Sequence, residues 1–304
     1  MSVEKIPYKD FKKSITSFFV DEELEEKMSK KQDEIVKNTR KRMKDIDTKE
    51  GLEQFIRSDK ESLQQLTNIL GISQERLKRT VSMIRRGNGE DFNSEWNIQT
   101  IRNQMVHNNY YMERICDLLI NGSNDPEYKE TIPRFILEQM VIDQRRLKLL
   151  TSKYALQQYI KPSFEGIYSN AVGDKIEEII SIKLTEWCQK YGTTFVHEKN
   201  IPWIARNIDF VIPDVDNPKI LIEVSYMVTT GSGQTTKQRD EHQTRLRIDD
   251  YNRNNRENVI SVNFIDGAGW LGRQNDLRLL YEDSDYVVNL KYLDSLEEII
   301  KSYL

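Results

Sequence analysis

The chain has 304 residues, 38% of them hydrophobic and 31% charged, which suits a soluble protein with a modest core and leaves room for two domains. Its 45 basic and 49 acidic residues give a net charge of -4, which neither favours nor excludes a nucleic-acid partner. The two cysteines lack CxxC spacing, which argues against a disulfide framework and a zinc knuckle. The three histidines lack HExxH spacing, which excludes the metal site of that motif. The sequence offers no membrane span and no apolar signal core in residues 1–10, so we expect a cytoplasmic protein with no membrane partner.

Residues 1–160 are expected to form an all-α domain, because good helix formers dominate and proline is nearly absent. Helices are predicted at 22–45, 50–58, 61–70, 74–86, 97–120 and 131–158, with a loop at 121–130. The polar triplet Lys161-Pro162-Ser163 then marks the domain boundary, so a second domain is predicted over residues 161–304.

Residues 61–86 have the pattern of a helix-turn-helix, in which Gly71 makes the turn and Ser73 caps the second helix. Apolar residues at helical spacing line both helices: Leu63, Leu66, Ile69 and Leu70, then Leu77, Val81 and Ile84. The basic residues assigned to the exposed side are Lys78, Arg79, Arg85 and Arg86. Lys78 and Arg79 are predicted to contact DNA from a helix in the major groove. The alternative is a helical hairpin that serves packing alone.

The second half alternates helices and strands in the order α-β-β-β-α-β-α-β-α. Helices are predicted at 171–189, 235–252, 274–281 and 293–303, and strands at 193–197, 206–213, 220–226, 259–265 and 286–290. This order predicts an α/β domain with a mixed central sheet flanked by helices.

Two neighbouring predicted strands each carry one acid in apolar company, Asp209 in the first and Glu223 in the second. A buried carboxylate is costly unless something pairs with it, and Mg²⁺ is commonly held by one or two carboxylates. We therefore predict a magnesium site for phosphodiester chemistry; the alternative is a pair of edge-strand acids that face water. The next loop, Gly231 to Lys237, lacks the spacing of a phosphate-binding loop, so no nucleotide cofactor is expected.

These residues resemble the pattern of the PD-(D/E)XK nuclease superfamily. Gly173 and Glu177 match its Gly-x-x-x-Glu helix, Asp209 its acidic strand, and Glu223 with Ser225 its Glu-x-Lys strand in all but the last position. Over residues 165–304 the order and spacing are similar to the type II restriction endonucleases of that superfamily. The resemblance therefore implies a PD-(D/E)XK-like catalytic domain.

The resemblance also implies roles for single residues. Asp209, Glu223 and the carbonyl of Val224 would ligate Mg²⁺, and Glu177 would lie at the edge of the site as a second-metal or water-mediated ligand. Glu178 competes with Glu177 for that role. Alternatively, Glu177 is an acid favoured by the dipole at a helix N-terminus.

The sequence departs from the superfamily pattern at Ser225, where the pattern has a lysine that orients and activates the attacking water. Ser225 stays among the catalytic candidates, since some restriction enzymes resemble it in having a polar residue there. Lys237, at the start of the next helix, is a second candidate for the missing amine. The sequence favours the alternative that Lys237 contacts phosphate or base.

The mixed-charge helix at 235–252 is placed to enter a major groove, where Arg can read guanine and acidic residues can accept from cytosine. DNA contacts are predicted for Lys237, Arg239, Asp240 and Arg245. The alternative is a helix face that is solvated and contacts no DNA.

The sequence thus predicts a Mg²⁺-dependent type II restriction endonuclease that cuts double-stranded DNA at a short specific sequence. A homodimer is expected, because such sites are often palindromic. One alternative is a repair or recombination nuclease of the same superfamily that reads DNA structure. The other is a non-enzymatic helix-turn-helix regulator, for which Asp209 and Glu223 would be dispensable.

Overall fold

The computed structural model describes residues 3–304, apart from the side chain of residue 146. The chain divides into two units. The helical unit is Ser29–Phe164, and the sheet unit combines residues 3–28 with Glu165–Leu304. The prediction that the helical domain begins at the N-terminus is therefore wrong for residues 3–28, and the boundary lies at Phe164 rather than at 160.

Long-range packing explains why the N-terminal segment belongs to the sheet unit. Phe11, in helix α1 (Tyr8–Lys13), and Ile15 are buried in a core that includes Ile265 and Trp270. The backbone N–H and the hydroxyl of Thr16 donate to the two carboxylate oxygens of Asp266, at 2.6 and 3.0 Å. Helical periodicity within residues 3–28 carries no information about partners so distant in sequence.

Helices build the unit Ser29–Phe164. Two helices, α2 (Glu22–Arg42) and α11 (Lys153–Tyr191), have residues in both units. The others are α3 (Lys49–Ser58), α4 (Ser62–Leu70), α5 (Gln74–Gly87), α6 (Ile98–His107), α7 (Asn109–Asn121), α8 (Pro126–Thr131), α9 (Arg134–Met140) and α10 (Gln144–Leu150). Their apolar faces form one core of aliphatic and aromatic side chains.

Helices α4 and α5 have the predicted turn and cap. Gly71 has a left-handed backbone with φ of 66°, which glycine adopts without steric cost. The hydroxyl of Ser73 accepts a hydrogen bond from the Arg76 N–H at 3.2 Å. Leu77, on the inward face of α5, is buried as predicted.

The predicted exposure of Arg85 is wrong. Its guanidinium lies 3.8 Å from the ring centroids of both Phe92 and Trp96 and donates to Glu90 at 2.8 Å. The segment after α5 therefore covers this arginine with aromatic rings, and α5 has a narrower exposed basic face than its sequence indicates.

Several predicted helix boundaries are also wrong. Extended backbone at Asn108 divides the predicted helix 97–120 into α6 and α7, and the predicted loop 121–130 contains the start of α8, capped by Asp125. The predicted helix 131–158 is instead α9, α10 and the start of α11. Pro162 does not end a helix but lies inside α11. An internal proline costs about 3 kcal/mol, which the rest of a 39-residue helix can offset.

The sheet unit contains a five-stranded mixed sheet within the described residues, flanked by helices as predicted. Its strands, in spatial order, are β1 (Val196–Ile201), β2 (Arg206–Ile212), β3 (Ile220–Tyr226), β4 (Ile260–Asp266) and β5 (Tyr286–Val288). The strands β1, β2 and β3 pair antiparallel, whereas β3, β4 and β5 pair parallel. Helix α12 (Gly233–Asn255) follows β3, and α13 (Gln274–Asp283) and α14 (Ser295–Tyr303) lie before and after β5 in the chain.

Among the residues that the structure describes, no helix combines the length and the apolarity that crossing a membrane requires.

Candidate active site

Asp209 and Glu223 lie on neighbouring antiparallel strands. Phe210 pairs with Ile222, so Asp209 falls opposite Glu223 at the next position. The half-buried Asp209 carboxylate accepts a hydrogen bond from the N–H of Val224 at 2.6 Å. The alternative of two edge-strand acids that face water is wrong, because β2 and β3 are interior strands and Glu223 is 3% exposed.

Two cations reach one carboxylate oxygen of Glu223. Lys237 Nζ on α12 lies 2.5 Å from Glu223 Oε2, and Arg206 Nη2 at the start of β2 lies 3.0 Å from the same atom. The other oxygen, Oε1, is buried without a hydrogen-bond partner. A buried carboxylate oxygen normally has a partner, so Oε1 offers an open ligand position for a cation.

A second buried carboxylate, that of Glu241, completes this ion-pair network. Its Oε1 accepts from Arg206 Nη1 at 3.0 Å and lies 3.6 Å from Lys237 Nζ. Arg206 also donates to the Thr244 hydroxyl at 3.1 Å. Lys237, Glu241 and Thr244 face the site together because residues three and four apart share one side of a helix.

The network shifts the pKa of its members. Burial raises the pKa of Glu223 to about 8; Lys237 and Arg206 oppose this shift, whereas Glu241 and Asp209 reinforce it. Burial alone would lower the pKa of Lys237, but the Glu223 and Glu241 carboxylates raise it by more. Burial thus favours the neutral form of Glu223, whereas the neighbouring carboxylates favour the charged form of Lys237.

Glu177 also lies near the paired carboxylates. Burial raises its pKa, and the negative charge of Asp209 raises it further. The competing candidate Glu178 is exposed and pairs with Lys175 at 3.0 Å. The alternative that Glu177 is a helix N-terminal acid is wrong, since α11 begins at Lys153, many turns earlier.

Ser225 is buried, and its hydroxyl has no hydrogen-bond partner among the described atoms. Its carbonyl accepts from the indole N–H of Trp270 at 3.2 Å, and Trp270 is fully buried as a packing residue. Ser225 thus contributes no charge where the superfamily pattern has a lysine.

The residues predicted to contact DNA differ in whether they are exposed or already form an ion pair. Arg239, Asp240 and Arg79 are exposed. Arg245 pairs with Asp285 at 2.6 Å and with Asp249 at 3.0 Å, and Lys78 pairs with Glu75. Lys237 contacts the carboxylate of Glu223 in the candidate site, and a contact of Lys237 with phosphate or base stays a prediction.

Sequence reasoning missed Arg206, Glu241 and Thr244. The spacing of Lys237 and Glu241 by one helical turn was a usable signal, because such pairs share a helix face. Arg206 gave no local signal, since its partners are 17 to 38 residues away in sequence.

Comparison with curated protein sequences finds no significant relative. Residues 148–304 match the family model described as the BanI C-terminal domain, a restriction endonuclease family. The matched region covers more than half of the chain and includes all strands of the sheet together with Asp209, Glu223 and Lys237. The chain therefore belongs to the BanI C-terminal domain family of restriction endonucleases.

Proposed function

We propose that this protein is a cytoplasmic, Mg²⁺-dependent type II restriction endonuclease of the PD-(D/E)XK superfamily that cleaves double-stranded DNA at a short specific sequence. The observation that carries the proposal is the Asp209–Glu223 pair, with one buried Glu223 oxygen left without a partner, in a chain of a restriction endonuclease family. Action as a homodimer is part of the proposal, since two-fold symmetry matches a palindromic site.

Asp209, Glu223 and the carbonyl of Val224 fit a hard cation, because all three offer oxygen ligands of the type that Mg²⁺ takes. Bound there, Mg²⁺ would supply charge stabilisation at the scissile phosphate and a more acidic water. The N–H of Val224 holds the Asp209 carboxylate in place. Because burial raises the pKa of Glu223, this side chain would have to be deprotonated to act as a metal ligand.

Lys237 is the residue that we assign to the missing lysine of the superfamily pattern. Its ammonium lies 2.5 Å from Glu223 Oε2 and reaches the site from α12 rather than from β3. The neighbouring carboxylates outweigh the effect of burial and raise the pKa of Lys237. In this role it would orient the attacking water and stabilise the developing negative charge. Glu241 holds Lys237 in this position from one helical turn away.

DNA binding is proposed for exposed groups of both units. On α12 these are Arg239 and Asp240, and in the helical unit Arg79 is an exposed basic residue of the predicted recognition helix. Lys78 and Arg245 would have to exchange an existing ion pair for a DNA contact.

The first test is digestion of unmethylated phage DNA with and without Mg²⁺, using the wild type and Asp209→Asn, which can still accept the Val224 hydrogen bond. The matched control is Asp216→Ala, an exposed acid of the turn between β2 and β3. Discrete bands that require Mg²⁺, disappear with Asp209→Asn and persist with Asp216→Ala are expected. A folded wild type that shifts DNA but cuts none would instead favour the regulator, and cutting of branched DNA alone would favour the structure-specific nuclease.

A second test separates the roles of two basic residues of α12. Lys237→Met should lower kcat by about 10²–10³-fold, the usual effect of losing one group that stabilises developing charge in the transition state. Arg239→Met, the control on the exposed face of the same helix, should raise KM and leave kcat unchanged. Equal effects of both substitutions on KM would contradict a catalytic role for Lys237.

A further inference from the structure

Glu177, His197 and Glu198 form a cluster of possible metal ligands beside the Asp209–Glu223 pair. One ligand atom of each residue lies within 4.8 Å of those of the other two. The closest approach is between His197 Nε2 and Glu177 Oε2, at 3.3 Å. Two carboxylates and an imidazole at these separations can converge on a single divalent ion after small rotations of their side chains.

The cluster carries excess negative charge. Asp209 and Glu198 both add to the burial that raises the pKa of Glu177, so three acids lie within electrostatic reach of one another. Within residues 3–304 no lysine or arginine forms an ion pair with Glu177 or Glu198. His197 opposes this charge, because its contact with Glu177 lowers the pKa of that carboxyl.

His197 is held in one orientation by the sheet. It pairs with Phe210 in the β1–β2 register, and the two rings stack with centroids 4.7 Å apart. Phe210 is fully buried, so it provides a fixed surface under the imidazole. A fixed imidazole loses little conformational freedom when it binds a metal.

We propose that Glu177, His197 and Glu198 bind a divalent transition-metal cation such as Mn²⁺ or Co²⁺, at a site separate from the Asp209–Glu223 carboxylates. The imidazole sets the class of cation, because nitrogen ligands suit transition metals whereas Mg²⁺ takes oxygen ligands. The inference goes beyond the proposed DNA hydrolysis, because it concerns a second cation site. Binding at that site can be measured even in protein that cuts no DNA.

The test is calorimetric titration of tag-free, metal-free protein with Mn²⁺ and with Mg²⁺, supported by the visible absorption spectrum of bound Co²⁺. His197→Asn should weaken Mn²⁺ binding by about tenfold or more and leave Mg²⁺ binding unchanged. The control is His242→Asn, because His242 is similarly exposed and lies 3.0 Å from Asp283 without a second carboxylate. Glu198→Gln is the second variant, for use if His197→Asn perturbs folding. Because Glu198 is exposed, this substitution should leave the fold intact and still weaken Mn²⁺ binding.

Asp209→Asn separates this site from the proposed catalytic one. It should remove Mg²⁺ binding and keep the His197-dependent binding of Mn²⁺. The inference is overturned if wild type and His197→Asn bind Mn²⁺ equally, or if His242→Asn causes the same loss. Either outcome leaves the proposed nuclease function untouched.

Discussion

The buried carboxylate of Glu223 should make the metal-free protein less stable as the pH rises. Its pKa is raised to about 8 in the folded protein, against 4.5 as its usual value. A group whose pKa is higher in the folded state stabilises the fold when protonated, so this contribution is complete below the usual pKa and is lost as the pH rises through about 8. The pH window of this loss therefore runs from the usual pKa of 4.5 to about 8, across neutrality.

The size of the effect follows from proton linkage. Between the usual pKa and about 8, the folded state holds one more proton than the unfolded state, so the free energy of unfolding falls by about 1.4 kcal/mol per pH unit. From about pH 6 to about pH 9 the loss is roughly 3 kcal/mol, and the curve flattens above about pH 8. A Glu223→Gln variant lacks the titrating group and should show none of this loss.

The assay is urea denaturation in EDTA at several pH values, for wild type and Glu223→Gln in parallel. The difference between the two free energies of unfolding isolates Glu223, because the other titrating groups are common to both proteins. A difference that stays constant between about pH 6 and about pH 9 would refute the conclusion that burial dominates over the Lys237 and Arg206 charges.

Three further substitutions test other features. Glu241→Gln should shift the pH-dependent loss of stability to lower pH, because the Glu241 charge helps to raise the pKa of Glu223; the same denaturation series measures it. Gly267→Ala should lower the free energy of unfolding by about 3 kcal/mol or more, because φ at this position is 98° and a Cβ would lie 2.4 Å from the Met227 carbonyl oxygen. The control is Gly231→Ala, which should cost little because a Cβ there would meet open space. Ser73→Ala should cost about 1 kcal/mol in thermal unfolding through loss of the helix cap, and unchanged stability would contradict that role.

The sheet and its acidic pair could be predicted because their signals are local. β-branched runs with a turn between them fix two antiparallel strands, and one acid in each run then falls opposite the other. The Ser73 cap was predictable for the same reason, since it needs only residues within one helical turn.

The remainder of the site depends on tertiary packing. Lys237 had two interpretations from sequence, and the packing of α12 against the sheet is what brings its ammonium to Glu223. Arg206 joins Glu223 to Glu241 across three elements, which no spacing rule describes. The burial of Arg85 likewise depends on rings in the following segment.

The Thr16–Asp266 contact has a consequence for protein synthesis. These residues are 250 positions apart, so at about 5–20 residues per second a ribosome needs roughly 10–50 s to make the second after the first. The helical unit is continuous in sequence and can fold during that interval. The sheet unit has to wait for β4 to emerge, so the candidate active site assembles only after the whole helical unit has been synthesised.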